Sequence, residues 1–463
     1  MTTPKVAGSH WSKRLLPGYH LIIYDFRRIN CLTNKIGTCS VAFPWGGFHD
    51  DIATAVCWRD RWCRCRQYGV PDLVLAQGSE PIRVGLLAAK TGPLASGGID
   101  MDIALTMFLK ERDNSLAGRK AELIVADTAG VPAIARTKAQ ELIEKDKVHC
   151  LIGPLAAFEA LAIADYITEK EMPTLGVAAA EDMTQRYPNP WFVRATSTSA
   201  QCAYPLADYA SKELKYKKIV TIADDFAYGH EMCAGFQRAF EDNGGKIIQK
   251  IFTPLATPDY GSYVAQVKSA DAIFLGTAGS NGFRFLRQFI EYGLKDKMAV
   301  IGGMTALDES VLRNMGDEAL GILTTSWYSA ELDNPLNKAF AAAFRNQTKY
   351  DPGFYAASTY ASGVVLEAAL KATKGNVEDK RALVAAIRGS NADTARGLVK
   401  FDELGNVIGN VYIRKVTKVD GRLVNSVIKT YPDVSQFWTY DKTAFLKNPV
   451  YSRDYPPAKN LEP

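Results

Sequence analysis

The residues able to carry chemistry are few and unevenly spread. Cys57, Cys63 and Cys65 stand in a C-x5-C-x-C pattern with His49 nearby. A structural zinc site uses four ligands and C-x2–4-C pairs, so this spacing does not fit one. Past residue 80 there are two histidines, His149 and His230, and three cysteines, Cys150, Cys202 and Cys233, in no metal-ligand spacing. The cysteines read as small buried hydrophobes. His149 falls in an apolar, strand-like run and reads as structural, whereas His230 opens a helix and is placed to approach a cleft. The loop Gly92–Gly98 lacks the G-K-[ST] ending of a phosphate loop and the G-x-G-x-x-G of a dinucleotide fold. No G-x-S-x-G nucleophile elbow occurs past residue 80. Asp224-Asp225 sits at a strand end and is able to contact a ligand, although loop carboxylates are more often simply hydrated. The implied chemistry is recognition of a small molecule, with no catalysis, cofactor or metal.

The elements that must position such a site occupy only part of the chain. At 463 residues the length is ample for about three domains of roughly 150 residues. Five of the 8 cysteines and four of the 7 tryptophans precede residue 80. That segment holds ten basic and six acidic residues, a net +4 of the chain's +5. The rest is nearly neutral, which argues against a nucleic-acid partner. No apolar run of about 18 residues suggests a membrane span. Residues 1–80 show no clear period and read as an irregular extension outside the mature fold. Leu73-Val74-Leu75-Ala76-Gln77-Gly78 resembles the end of a secretory signal, but Arg64, Arg66 and Asp72 interrupt its apolar core.

From Pro81 onward strands and helices alternate. Ile82–Ala88 reads as a buried strand, and Asp100 as the opening of a helix. Strands follow at 122–127, 148–153 and 173–177, with helices from Pro132 and around 160–168. A second set comprises strands at 219–223, 246–252 and 271–275, with helices at 199–214, 228–243 and 260–268. Such alternation implies parallel sheets covered on both faces. The expected fold is α/β, with two doubly wound parallel-sheet lobes. A strand at 321–327, helices at 335–347 and 354–373, and a β-hairpin region at 398–416 complete it. Residues 431–463, rich in Pro and Tyr, read as a tail.

The order of several short stretches resembles one family. These are Val84-Gly85 through Thr91-Gly92-Pro93-Leu94, Ile152-Gly153-Pro154, Met172-Pro173-Thr174-Leu175, Trp191-Phe192-Val193-Arg194, and Asp224-Asp225-Phe226-Ala227-Tyr228-Gly229. Tyr355–Leu370 and Gly397-x-x-x-Phe401-Asp402-x-x-Gly405 complete the series. Over about 340 residues this is similar to the substrate-binding proteins of branched-chain amino-acid-type ABC transporters. These are type I periplasmic binding proteins, the Leu/Ile/Val-binding family. The resemblance implies two lobes joined by three crossings, with the ligand in the inter-lobe cleft. One lobe is expected at 81–194 plus about 328–392, the other at 195–327 plus about 393–430. It further implies a monomeric periplasmic carrier that delivers its ligand to membrane permease subunits.

By position, the resemblance places the ligand carboxylate on Ala156, Ala157 and Phe158 and on Ala178, Ala179 and Ala180. Neither loop offers a side-chain hydroxyl, so backbone N–H groups at helix starts must serve. The family's acidic partner for an ammonium group falls near Asn281. An ammonium buried without a carboxylate is poorly compensated. Leu94, Phe226, Tyr228 and Trp327, with Phe158, offer apolar walls. Arg194, near a crossing, either adds positive charge or pairs structurally. The expected ligand is an aromatic or hydrophobic carboxylic acid without an α-ammonium group, of benzoate or phenylpropanoid type. A branched-chain amino acid binder and a ligand-sensing regulator of the same fold are the alternatives.

Overall fold

The computed structural model describes residues 80–463, together with three short antiparallel-paired strands, Leu32–Thr33, Thr38–Ser40 and Ala55–Val56. The chain divides into units Met1–Gln77 and Gly78–Pro463. The Cys57–Cys65 pattern with His49 and the Leu73–Gly78 segment lie outside the described residues. Element labels below run along the second unit.

The first sheet is built from β1 (Ile82–Ala88), β2 (Ser115–Leu116), β3 (Arg119–Asp127), β4 (Cys150–Ile152), β5 (Thr174–Gly176) and β6 (Phe192–Arg194). Their order is β2-β3-β1-β4-β5-β6, parallel except for the β2–β3 pair. Helices α1 (Ala95–Lys110), α2 (Pro132–Gln140) and α3 (Ala157–Glu169) connect these strands. Coverage on both faces explains why β1, β4 and β5 are short runs buried at every position but the half-buried Arg83.

The second sheet contains β7 (Lys218–Asp224), β8 (Lys246–Thr253), β9 (Ala272–Gly276), β10 (Ala299–Gly302) and β11 (Leu323–Ser326), parallel in the order β8-β7-β9-β10-β11. It continues antiparallel into β14 (Val407–Val419), β13 (Gly397–Phe401) and β12 (Ala392–Thr394), with β15 (Arg422–Val434) on β14. Its helices are α4 (Ser199–Lys212), α5 (Ala227–Asp242), α6 (Gly261–Val264), α7 (Asn281–Glu291) and α8 (Glu309–Leu312). The chain returns to the first sheet through α9 (Pro335–Thr348), α10 (Phe354–Ala372), which packs on α1, and α11 (Lys380–Arg388), which meets β6. Crossings therefore lie at 195–198, 327–334 and 389–391.

Three local readings of the sequence change. Helix α1 begins at Ala95, not at Asp100. Its first turn carries Gly97 and Gly98, which read as loop residues but serve close packing. A Cβ on Gly97 would stand 2.6 Å from the Tyr355 ring, and one on Gly98 2.0 Å from the Ala89 carbonyl. The helix expected at 260–268 shrinks to the single turn of α6, whereas α7, β10 and α11 had no clear signal. Residues after Val434 are no loose tail. Phe437, Phe445 and Tyr451 are buried there, and helix α12 (Lys442–Lys447) is part of the segment. Tyr451 meets the Tyr204 hydroxyl at 3.0 Å, and Gln436 donates to the Thr184 carbonyl at 3.0 Å. The segment thus straps α4 to the turn that follows β5.

Candidate functional site

Ligands of open α/β sheets bind beyond the carboxyl ends of the strands. The loops there meet in a cleft with about 350 Å³ of empty space, its open mouth included. From the first sheet come Leu94, Leu155, Ala156, Ala157, Val177 and Ala179; from the second, Phe226, Tyr228, Ala278, Met304 and Thr305; from α10, Phe354 and Tyr355. None of these side chains is charged.

Six of the expected residues therefore line the cleft: Leu94, Ala156, Ala157, Ala179, Phe226 and Tyr228. Phe158 stands beside it, its ring edge-on to Phe226 at 5.2 Å, so one aromatic from each lobe meets across the opening. Ala178 and Ala180 turn their carbonyls away from it. Asn281 and Trp327 are displaced altogether. Asn281 is buried, and its amide donates to Asp224 Oδ1 at 2.5 Å and to the Leu255 carbonyl at 2.9 Å. It holds a carboxylate in place of presenting one. Trp327 is fully buried behind Phe354, with ring centroids 5.0 Å apart, and Arg396 lies over its indole at 4.4 Å. Arg396 also donates to the carbonyls of Ala195 and Thr196. Trp327 thus belongs to the junction of the crossings.

The two alanine turns are polar through their backbones. Helix α3 starts with Ala157, and Glu159 reaches back to the Ala156 N–H at 2.9 Å. Among the described residues nothing accepts from the N–H groups of Ala157, Phe158, Ala179 or Ala180. The second pair is aimed by its neighbours. A trans peptide sets each carbonyl opposite the next residue's N–H. The Arg194 Nε donates to the Ala178 carbonyl at 2.8 Å, which turns the Ala179 N–H the other way. Ser199 N donates to the Ala179 carbonyl at 3.3 Å and holds the next peptide. The helix dipole of α3 adds positive potential at Ala157. Backbone N–H groups without an acceptor among the described residues make this wall able to donate to an anion, with Glu159 engaged at Ala156 beside it.

Arg194 itself is fully buried and donates to Ala180, Thr184 and Asn406 as well. Burial pulls its guanidinium down to about 10, opposed by the nearby Glu231 and Glu181. Of its two expected roles it takes the structural one. The same burial holds both glutamates above the ordinary carboxylate range. Asp224 is not hydrated: it is buried, accepts from Ala278 N at 2.7 Å, and desolvation pushes it up to about 7. His230 pairs with Asp225 at 2.7 Å, outside the cleft lining, and His149 accepts from the Arg83 N–H. Cys150, Cys202 and Cys233 are buried free thiols.

Sequence reasoning missed Leu155, Val177, Ala278, Met304, Thr305, Phe354 and Tyr355. Leu155, Val177 and Ala278 neighbour expected residues, and Phe354 with Tyr355 opens a helix visible in the sequence. Thr305 follows β10, a strand that was not foreseen.

A family model described as periplasmic binding protein matches residues 81–421. A solute-binding protein of an ABC transporter from Rhodopseudomonas palustris BisB5, solved with 3,4-dihydroxybenzoic acid, is 35% identical. The match covers 77% of this chain and 98% of that one, with a TM-score of 0.73. An ABC transporter substrate-binding protein from Sphaerobacter thermophilus is 33% identical, covers 77% and 99%, and gives a TM-score of 0.72. Leu/Ile/Val-binding protein homolog 6 of Brucella abortus (strain 2308) is 28% identical over 365 residues, 76% of this chain and 92% of that protein.

Proposed function

The chain belongs to the periplasmic binding protein family, and from that premise we propose that it captures a small aromatic or hydrophobic carboxylic acid lacking an α-ammonium group. It delivers this acid from the periplasm to the permease of an ABC transporter. One observation carries the reading. The cleft is lined by Ala157 and Ala179, whose backbone N–H groups have no acceptor among the described residues, and no charged side chain lines it. An anion gains charge-assisted hydrogen bonds there, while an ammonium would be desolvated with no countercharge. Asp224, bonded to the lining residue Ala278, has its oxygens taken by Ala278 and Asn281, and Glu159 is engaged by the Ala156 N–H. Leu94, Phe226, Met304 and Phe354 supply the apolar surface for a ring or branched chain. The R. palustris protein solved with a dihydroxybenzoic acid supports the aromatic choice. The Brucella relative's name favours a branched-chain amino acid as the second reading.

A thermal-shift panel of leucine, glutamate, benzoate and coumarate decides between them. An aromatic acid is expected to raise the melting temperature where leucine and glutamate do not. Stabilisation by leucine alone would refute the proposal.

A further inference from the structure

We propose that Asp308 is a positioning residue of the cleft. It fastens the second lobe to the segment 350–354 of the first and so sets Phe354 and Tyr355 in place. This part of the lining is then complete only when the lobes are closed. The inference rests on the reading of the cleft as a ligand site and goes beyond it in naming what holds that site shut.

Segment 350–354 leads into α10, whose first two residues, Phe354 and Tyr355, line the cleft. Helix α10 packs on α1 and belongs to the first lobe. Three side chains reach this segment from the second lobe. The Arg313 guanidinium, just past α8, lies 3.6 Å from the centre of the Tyr350 ring. Arg422, which opens β15, pairs with Asp351, and Asp351 also accepts from Arg345 Nε of α9 at 2.6 Å. Asp308 follows β10 in the loop that also supplies Met304 and Thr305 to the cleft. It accepts from the Phe354 N–H at 2.6 Å and so acts on a lining residue directly.

Asp308 uses its two oxygens in two directions. Oδ1 accepts from Ser310 N at 3.1 Å and caps α8 within its own lobe. Oδ2 accepts from Phe354 N, the first N–H of α10, which has no carbonyl partner inside that helix. Asp308 is fully buried and Phe354 is 2% exposed, so the bond is sealed from water while the lobes meet. Hinge opening would separate the pair and hand both groups to solvent. Gly353 shows that the contact is built in. Its extended backbone, φ −106 and ψ −163, is one that alanine also adopts, so neither lobe by itself demands glycine. The demand comes from Asp308: a Cβ on Gly353 would stand 2.2 Å from Oδ1 and 2.7 Å from Oδ2.

Two substitutions break the contact from its two sides. Asp308→Ser keeps a hydroxyl to cap α8, a position where serine serves about as well as aspartate, but its side chain is too short to reach Phe354. Gly353→Ala keeps donor and acceptor and forces them apart with one methyl. Small-angle scattering of the ligand-free full chain and stopped-flow kinetics of benzoate are read on the wild type, both single variants and the double variant. Melting curves confirm that each is folded. A ligand enters the open form and leaves after reopening, so a weaker contact speeds release more than it slows capture. Each single variant is expected to show a larger radius of gyration than the wild type. Each should release benzoate about tenfold faster, the order expected for the loss of one buried hydrogen bond, with association changed less than about threefold. The double variant should be no worse than the worse single, because removing the carboxylate also removes the clash. A radius of gyration or a benzoate dissociation rate unchanged in both folded variants would overturn the inference. If benzoate does not bind the wild type, the carboxylate reading fails and the scattering alone decides the role of Asp308.

Discussion

The first wall of the cleft, with Ala157 and Ala179, is polar only through its backbone N–H groups, while the opposite side is polar through the hydroxyls of Tyr228, Thr305 and Tyr355. The first wall uses side chains with no polar atom, and its direction comes from buried supports: Arg194, Ser199 and the axis of α3. The second side carries its polarity in the lining residues themselves. A backbone wall changes only when its supports or its peptide N–H groups change. A side-chain wall changes with a single atom.

The largest effect should come from a support. Arg194→Met leaves the Ala178 and Ala180 carbonyls, Thr184 and Asn406 without their donor in a dry interior. Each unsatisfied group costs roughly 1–3 kcal/mol. Calorimetric melting should therefore show a large loss of stability, and binding of any carboxylate should disappear with the turn's geometry. Retained stability with retained binding would remove Arg194 from the account.

Ala157→Pro is expected to be gentler and more pointed. Ala157 is the first helical residue, where proline is tolerated, and Ala156 already has the extended φ −95, ψ 149 that precedes a proline. The helix should persist, so the change deletes one N–H and little else. Affinity for aromatic acids should fall roughly 10- to 100-fold, the worth of a hydrogen bond to a charged group. An unchanged affinity would show that this N–H does not donate to the ligand.

The smallest effect concerns the frame behind the first wall. Asp100 in α1 is fully buried and accepts from the Tyr350 hydroxyl at 2.6 Å, and burial pushes it up to about 7. The fold thus favours its protonated form. Its contribution to stability is full below about pH 3.8 and is lost as pH rises toward about 7. Asp100→Asn should flatten the pH dependence of the melting temperature in that window by a few degrees. A slope identical to that of the wild type would contradict the assignment.

The fold was legible wherever apolar runs were long and bounded. β1 was read at its observed limits, and α4, α5, α9 and α10 within two residues. β10 escaped because four residues carry too little pattern. Asp100 looked like a helix start because Gly97 and Gly98 imitate a loop, and only contacts with Tyr355 and Ala89 explain them. At the site, the alanine turns were placed by position within the family resemblance, since side chains there say nothing. Asn281 misled because position alone suggested a ligand contact, while Asp224, distant in sequence, claims its amide. Trp327 misled because an aromatic at a crossing fills a core as readily as a pocket.

The central claim is that the cleft accepts a carboxylate and refuses the same molecule bearing an α-ammonium group. Calorimetry of phenylacetate against phenylglycine, and of 3-phenylpropanoate against phenylalanine, isolates that one group. The account predicts that the acid binds and that its amino derivative binds at least a hundredfold more weakly. An amino derivative that binds as tightly as its parent acid, or more tightly, would contradict it.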